Sequence, residues 1–366
     1  MSSRWHMRLP LLPSANIGPE VTKVTVMDRV AGLLDQLEWE VSTLAFPYLY
    51  SSEQLLRLAN ISSDEYFELP SHSALFLHLF NELLTGYTLP KQPHVEFIGG
   101  VTAIPAQSLD RGTEASRQLK AWADAATEGF AVCAFGTVIN APDEQMIERL
   151  FDGFERLNIP VAFKLRRMDM TESLKSKLPK NVLLMEWLPQ NDLLGHPNAR
   201  LLISHAGCKG YEEAIYHGVP QLAFPFVIWQ RRIAERMEAL GFGRIGSLVS
   251  MTGPDIAKLG SELLTDERYH ERVKLISKVI KARKHPAEVA ADRVEEILQF
   301  GAEHLRPHAS IQLSFIQFYM LDILFVLFAV IVAVILVSLM ILSCLIRCLL
   351  AKCFKTFGKI HKSKTD

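Results

Sequence analysis

Two short segments bring together residue types that can hold a phosphate. In Leu201-Leu202-Ile203-Ser204-His205-Ala206-Gly207-Cys208-Lys209-Gly210, an apolar run gives way to a small-residue turn, and helical periodicity follows. A helix N-terminus offers unpaired N–H groups and about half a positive charge, so such a turn suits a diphosphate. Gly207 and Gly210 allow close backbone approach, while His205 and Lys209 supply donors. The second segment is Phe135-Gly136-Thr137, where an apolar run stops at a glycine and a hydroxyl, with a helix expected near Pro142. Glycine turns at such junctions are mostly structural. Taken alone, each turn is open to two readings, a phosphate cradle or a tight connection.

Both turns belong to a regular alternation that starts at Phe130. Short apolar runs fall at 130–135, 161–165, 182–185, 201–204 and 221–224. Helical patterns separate them at 143–157, 190–194, 210–217 and 233–240, and further helices are expected at 255–264, 267–284 and 287–300. Runs apolar on both faces, alternating with helices, predict a parallel sheet covered on two sides, the doubly wound α/β class. Such sheets bind ligands beyond the carboxyl ends of their strands, where both turns lie. Ahead of this region, 25–37, 51–59, 63–67 and 114–126 read as helices, 74–79 as a short apolar run, and Val95–Ile98 as a strand ending in Gly99-Gly100. Residues 101–113 read as a linker.

Composition excludes several classes. The 366 residues are 49% hydrophobic and 22% charged, so a disordered chain is ruled out and about two domains are expected. With 39 Lys and Arg against 40 Asp and Glu, no global basic field points to nucleic acid. The five cysteines form neither a disulfide framework nor a zinc pattern, and no metal site is expected. Cys344, Cys348 and Cys353 fall in or just past the apolar stretch described next, where acylation is conceivable.

Ile323 to Ile346 carries no charge, glycine or proline over 24 residues. A helix needs roughly 20 apolar residues to cross the hydrocarbon core, so this stretch predicts a membrane span. The basic segment after it, from Arg347 to Lys364, predicts a cytosolic C-terminus with the main domain on the lumenal side. Lys362 and Lys364 have the spacing of a dilysine signal for return to the endoplasmic reticulum; the other reading of this tail is a patch for anionic lipid. Asn60-Ile61-Ser62 is a sequon. The first 20 residues lack the apolar core of a secretory signal, which leaves either a start within a longer gene product or a tail-anchored protein of opposite topology.

Trp187-Leu188-Pro189-Gln190-Asn191-Asp192-Leu193-Leu194-Gly195-His196-Pro197, then His205-Ala206-Gly207, then Glu213-Ala214-Ile215-Tyr216-His217-Gly218-Val219-Pro220 closely resembles the signature of the UDP-glycosyltransferases. The likeness is greatest to the membrane-bound UDP-glucuronosyltransferases of animals and extends from about Pro13 to the C-terminus. It implies a GT-B fold, two Rossmann-like domains across a cleft, here with an incomplete N-terminal and a complete C-terminal one. On that basis residues 1–110 are expected to form part of the acceptor side and the linker, and 111–310 the UDP-sugar domain. Residues 311–322 would be juxtamembrane, 323–346 the span and 347–366 a cytosolic basic tail.

The resemblance also assigns roles. Trp187 would stack on uracil with Gln190 near the ribose and base, Glu213 would hold the ribose hydroxyls, and His205 and Thr137 would contact the diphosphate, with Gly207 in the same turn. His196 and His217 match positions that read as structural. Lys209 stands where the family usually has Asn, and Trp229-Gln230 where it usually has Asp-Gln, which leaves Gln230 as the donor-sugar contact. The family's catalytic His and its orienting Asp lie in a part of the N-terminal domain upstream of Met1, and neither His6 nor His72 sits in that motif. The function implied is transfer of a hexose or glucuronate from UDP-glucose or UDP-glucuronate to a small lipophilic acceptor, with no cofactor besides the UDP-sugar. This chain would carry mainly the donor half. The alternative is a non-catalytic, membrane-anchored partner or truncated isoform that associates with full-length relatives, and oligomers with itself or with them are expected under either reading.

Overall fold

The computed structural model describes residues 73–81, 84, 93–136, 142–166, 169–305, 314–318 and 320–362. The helices expected at 25–37, 51–59 and 63–67, the sequon, His6, His72 and Thr137 lie outside the described residues. The chain divides into two compact units, Met1–Arg306 and Pro307–Asp366.

In the first unit, β1 (Phe76–His78) and β2 (Val95–Phe97) form a two-stranded parallel sheet. After the linker come α1 (Glu114–Ala125), β3 (Phe130–Ala134), α2 (Glu144–Leu157), β4 (Val161–Lys164), α3 (Glu172–Ser176), β5 (Val182–Met185), α4 (Gln190–Leu194) and β6 (Ala199–Ser204). Then follow α5 (Cys208–His217), β7 (Gln221–Ala223), α6 (Ile228–Ala239), β8 (Gly243–Ile245), α7 (Gly253–Thr265), α8 (Glu267–Lys281) and α9 (Pro286–Phe300). The six strands β3 to β8 are all parallel and ordered β5-β4-β3-β6-β7-β8. That is the doubly wound order, with the switch point between β3 and β6.

β3 explains the covering helices. All five of its residues are buried, and they alternate between two layers. Ala131 and Cys133 pack with Ile147, Leu150 and Phe154 of α2 and with Ile256 and Leu263 of α7. Phe130 and Val132 pack on the other face with Leu119 and Ala123 of α1, Leu193 and Leu194 of α4, and Ala214 of α5. A strand apolar on both sides is stable only between two such layers. The helix starts are fixed locally: Thr113 and Ser116 form a capping box on α1, and the Asp143 carboxylate accepts from the Met146 N–H at 2.8 Å.

The linker is fastened to the sheet domain. Asn191 Nδ2 donates to the Ile104 carbonyl at 3.1 Å, and the Gln107 N–H donates to Asp192 Oδ1 at 2.9 Å. Arg111 pairs with Asp192 Oδ2 at 2.5 Å, and Asp192 is buried.

The second unit holds α10 (Phe315–Phe318) and α11 (Leu321–Lys362). Leu321–Arg347 is long and apolar enough to cross a membrane. It fits a single-pass anchor. The helix runs on past the apolar stretch to Lys362, through residues expected only as a tail.

Candidate functional site

The site is assembled at the carboxyl ends of β3, β4 and β6. β6 ends at Ser204, His205 follows, and α5 begins three residues later, with Gly207 as its N-cap. Gly207 has no side chain to cap the helix, so no side chain competes for the N–H groups of the first turn. Ala206 takes a left-handed backbone, φ 59°, an uncommon conformation for a residue with a Cβ; the Ser204 hydroxyl supports it by accepting from the Ala206 N–H at 3.1 Å. Gln221 Nε2 donates to the same hydroxyl, which ties the turn to β7.

His205 is held between two glycines that lie far apart in sequence. A Cβ on Gly136 would come within 2.9 Å of His205 Cε1, and a Cβ on Gly207 within 2.6 Å of Nε2. Gly136 has φ +80°, a conformation that itself favours glycine. Burial lowers the His205 pKa, and the nearby Ala134 carbonyl offsets part of that effect, so the ring is neutral near pH 7. Its Nδ1 is buried and closes no well-formed hydrogen bond among the described residues.

Lys209 and Lys164 bring positive charge to the same edge. Lys164, the last residue of β4, donates to the Gly136 carbonyl at 3.2 Å. Its pKa is lowered, first by burial and then by the charge of Lys209. Lys164 was not among the expected site residues. The available signal was a lysine closing an otherwise apolar, parallel strand, at the end of the sheet where ligands bind.

Glu213 lies one turn into α5 and is buried, and Gln190 at the start of α4 donates to its Oε2 at 2.8 Å. Burial raises the Glu213 pKa; the Gln190 hydrogen bond and the Lys209 ammonium, 4.0 Å away, oppose that rise. Trp187 lies on the surface, 60% exposed, with the Arg111 guanidinium over its ring at 5.9 Å from the centroid. The structure thus brings Gln190, Glu213 and Lys209 together at α5, with His205 and Gly207 at its start.

Gln230, the expected sugar contact, lies at the start of α6. It is fully buried, and its Oε1 accepts from the Phe226 and Val227 N–H groups at 2.8 and 3.3 Å, closing the start of α6. Its Nε2 has no partner among the described residues. His196 and His217 are held structurally. His196 bonds Asp124 at 3.1 Å and packs on Phe130, and His217 bonds Asn191 Oδ1 at 3.0 Å. Burial, and then the charge of Lys281, depresses the His217 pKa to about 4.

The sequence profile described as UDP-glucoronosyl and UDP-glucosyl transferase matches residues 14–359. Rat UDP-glucuronosyltransferase 1A1 is 32% identical over 291 residues, 78% of this chain and 51% of that protein. Human UDP-glucuronosyltransferase 1A3 is 30% identical over 350 residues, covering 93% of this chain and 62% of that protein. The chain therefore spans between about half and two thirds of the length of these relatives. Among solved structures, the glycosyltransferase of kitacinnamycin aligns at a TM-score of 0.53 with 21% identity, over 74% of this chain and 66% of that one. That likeness bears on the fold, which is of the GT-B glycosyltransferase type.

Proposed function

The chain belongs to the UDP-glucuronosyl and UDP-glucosyl transferase family, and from that premise we propose that its six-stranded domain binds a UDP-sugar for transfer to a small lipophilic acceptor. The observation that carries the reading is the turn from β6 into α5. There an uncapped helix N-terminus adjoins a glycine-clamped imidazole, with Lys209 in the first turn and Lys164 near it. A diphosphate suits that turn because backbone dipoles and two ammonium groups stabilise its charge. As the anomeric bond breaks, negative charge grows on the UDP leaving group, and the same donors stabilise it more strongly than in the ground state.

The rest of the nucleoside follows from this placement. Glu213, already oriented by Gln190, presents a carboxylate that can accept from both ribose hydroxyls. Trp187 offers an exposed aromatic face for the uracil. Gln230 Nε2, fully buried and without a partner among the described residues, would reach the sugar only if the start of α6 shifts. The chemistry needs no metal or cofactor beyond the UDP-sugar, and UDP-glucuronate and UDP-glucose are the donors to compare. In the cell we place the protein in the endoplasmic reticulum membrane, with the domain lumenal and the lysine-rich end cytosolic.

Calorimetric titration of the detergent-solubilised chain tests the cradle. UDP should bind more tightly than UMP, and His205→Ala should narrow the gap roughly 10- to 100-fold, the worth of a charge-assisted hydrogen bond. Equal affinity for UDP and UMP in the parent protein would remove the diphosphate from this turn.

A further inference from the structure

The helix that holds the membrane span does not end with the apolar stretch. The apolar part is Leu321–Arg347, while α11 continues in regular helix to Lys362. At 100° per residue, the 3-4-3 spacing of Lys352, Lys355, Lys359 and Lys362 places all four on one face, within an arc of about 80°. Leu349, Leu350, Cys353, Phe354, Phe357 and Ile360 fall on the other side, with His361 as the polar residue among them. No Asp or Glu lies between Ile346 and Lys362. The extension is therefore basic along one side, mostly apolar along the other, and continuous with a segment that fits a membrane span.

Such a helix has a natural neighbour. Its apolar side gains by leaving water, and the bilayer interface is the apolar surface already in reach of Arg347. Its lysines complement a negatively charged headgroup layer, and a cluster of this size beside a span is what anionic lipid attracts. We propose that residues 348–362 are a docking surface for anionic phospholipid, engaged when the helix axis tilts over beyond Arg347. The inference rests on reading Leu321–Arg347 as a membrane span. It gives the lysine row a role in addition to any retrieval signal at Lys362 and Lys364.

The test uses the full chain in lipid nanodiscs made of phosphatidylcholine alone or with about 30% phosphatidylserine, a charge density sufficient to attract polybasic segments. Chymotrypsin cuts after Phe354 and Phe357, so the appearance of those termini by mass spectrometry reports access to the extension. Cleavage should be about fivefold or more slower in anionic discs, and the protection should vanish at about 0.5 M NaCl, where surface charge is screened. The variant Lys352→Gln/Lys355→Gln/Lys359→Gln should be cut at the same rate in both lipids, with cleavage within the folded domain as the internal control. Equal rates for the parent chain in the two lipids overturn the proposal, as does protection that survives salt or the triple substitution. A tail read only by a protein receptor gives the first of those results. Failure of the chain to enter discs at all would overturn the span itself, and it shows before any protease is added.

Discussion

Packing at His205 is done by backbone rather than by side chains, and this makes the site unusually sensitive to single methyl groups. Gly207 has φ −69° and ψ 141°, values that alanine adopts without strain. A Cβ there would nevertheless press to 2.6 Å from Nε2, so the imidazole must move. Gly207→Ala should leave the melting temperature nearly unchanged and reproduce most of the loss of UDP affinity seen in His205→Ala. Trp187→Ala should separate the two halves of the ligand. Stacking on a base is worth roughly 1–3 kcal/mol, and its loss should weaken UDP and UMP alike. Titrations showing that Trp187→Ala spares UMP would remove the base from that indole. His205, Gly207, Gln190 and Glu213 were legible in the sequence through motif and spacing. The clamp was not, because Gly136 and Gly207 meet only once β3 and β6 pair. Lys164 was hidden inside an apolar run that reads as core.

Among the elements, α5 joins the two sheets of the first unit as well as the parts of the site. Glu212, next to Glu213, is buried at 3% exposure, and its Oε1 accepts from the Asn81 N–H at 3.1 Å. Burial raises its pKa to about 7, against smaller lowering by the Asn81 and Gly100 N–H groups. An unfolded glutamate loses its proton near pH 4.5, so between that pH and about 7 the folded state binds more protons and stability falls as pH rises. The penalty is complete above pH 7 and amounts to roughly 1–3 kcal/mol at 1.36 kcal/mol per unit, with some discount for relaxation. Glu212→Gln keeps an acceptor and carries no charge. It should melt at a higher temperature than the parent at pH 8, with the difference shrinking towards pH 5; thermal scans at the two pH values decide it. The sheet strands were legible because they are apolar on both faces. β8, three residues containing Gly243 and Arg244, gave no such run. α5 also begins at Cys208, two residues before the expected start at Gly210, because Cys-Lys-Gly reads as a turn until the helix geometry is seen.

At the scale of the whole molecule, the placed site residues all belong to the proposed donor site, in a chain that spans about half to two thirds of its relatives. A general base and an acceptor pocket each contribute large factors to transfer, about 10²–10⁴ for the base alone. Residues 1–366 joined to the N-terminal half of a relative should therefore transfer sugar to a phenol at least tenfold faster than residues 1–366 by themselves, with both rates measured by glycoside formation. Equal rates would show that the donor side, with Lys209 and Trp229 in unusual positions, is what limits the reaction. The span could be read from composition alone. The length of its helix could not, because a row of lysines looks like a solvated tail until its 3-4-3 spacing is set on a continuous helix.

The attachment of the linker decides where this protein can be divided. A boundary at residue 111, where the sequence places the start of the UDP-sugar domain, would discard the Gln107 N–H from buried Asp192 and the Ile104 carbonyl from Asn191. It would also lift Ala106 away from Gly195, where the alanine methyl sits so close that a Cβ on the glycine would collide with it. The excised piece would keep Arg111 with its ion pair and its place over Trp187, but lose the strap that lies across α4. Cutting just before Val101 would keep these linker contacts but strip buried Glu212 of the Asn81 N–H and take Leu84 out of the core beside α5, so a unit suited to crystallisation or ligand screening must start ahead of β1.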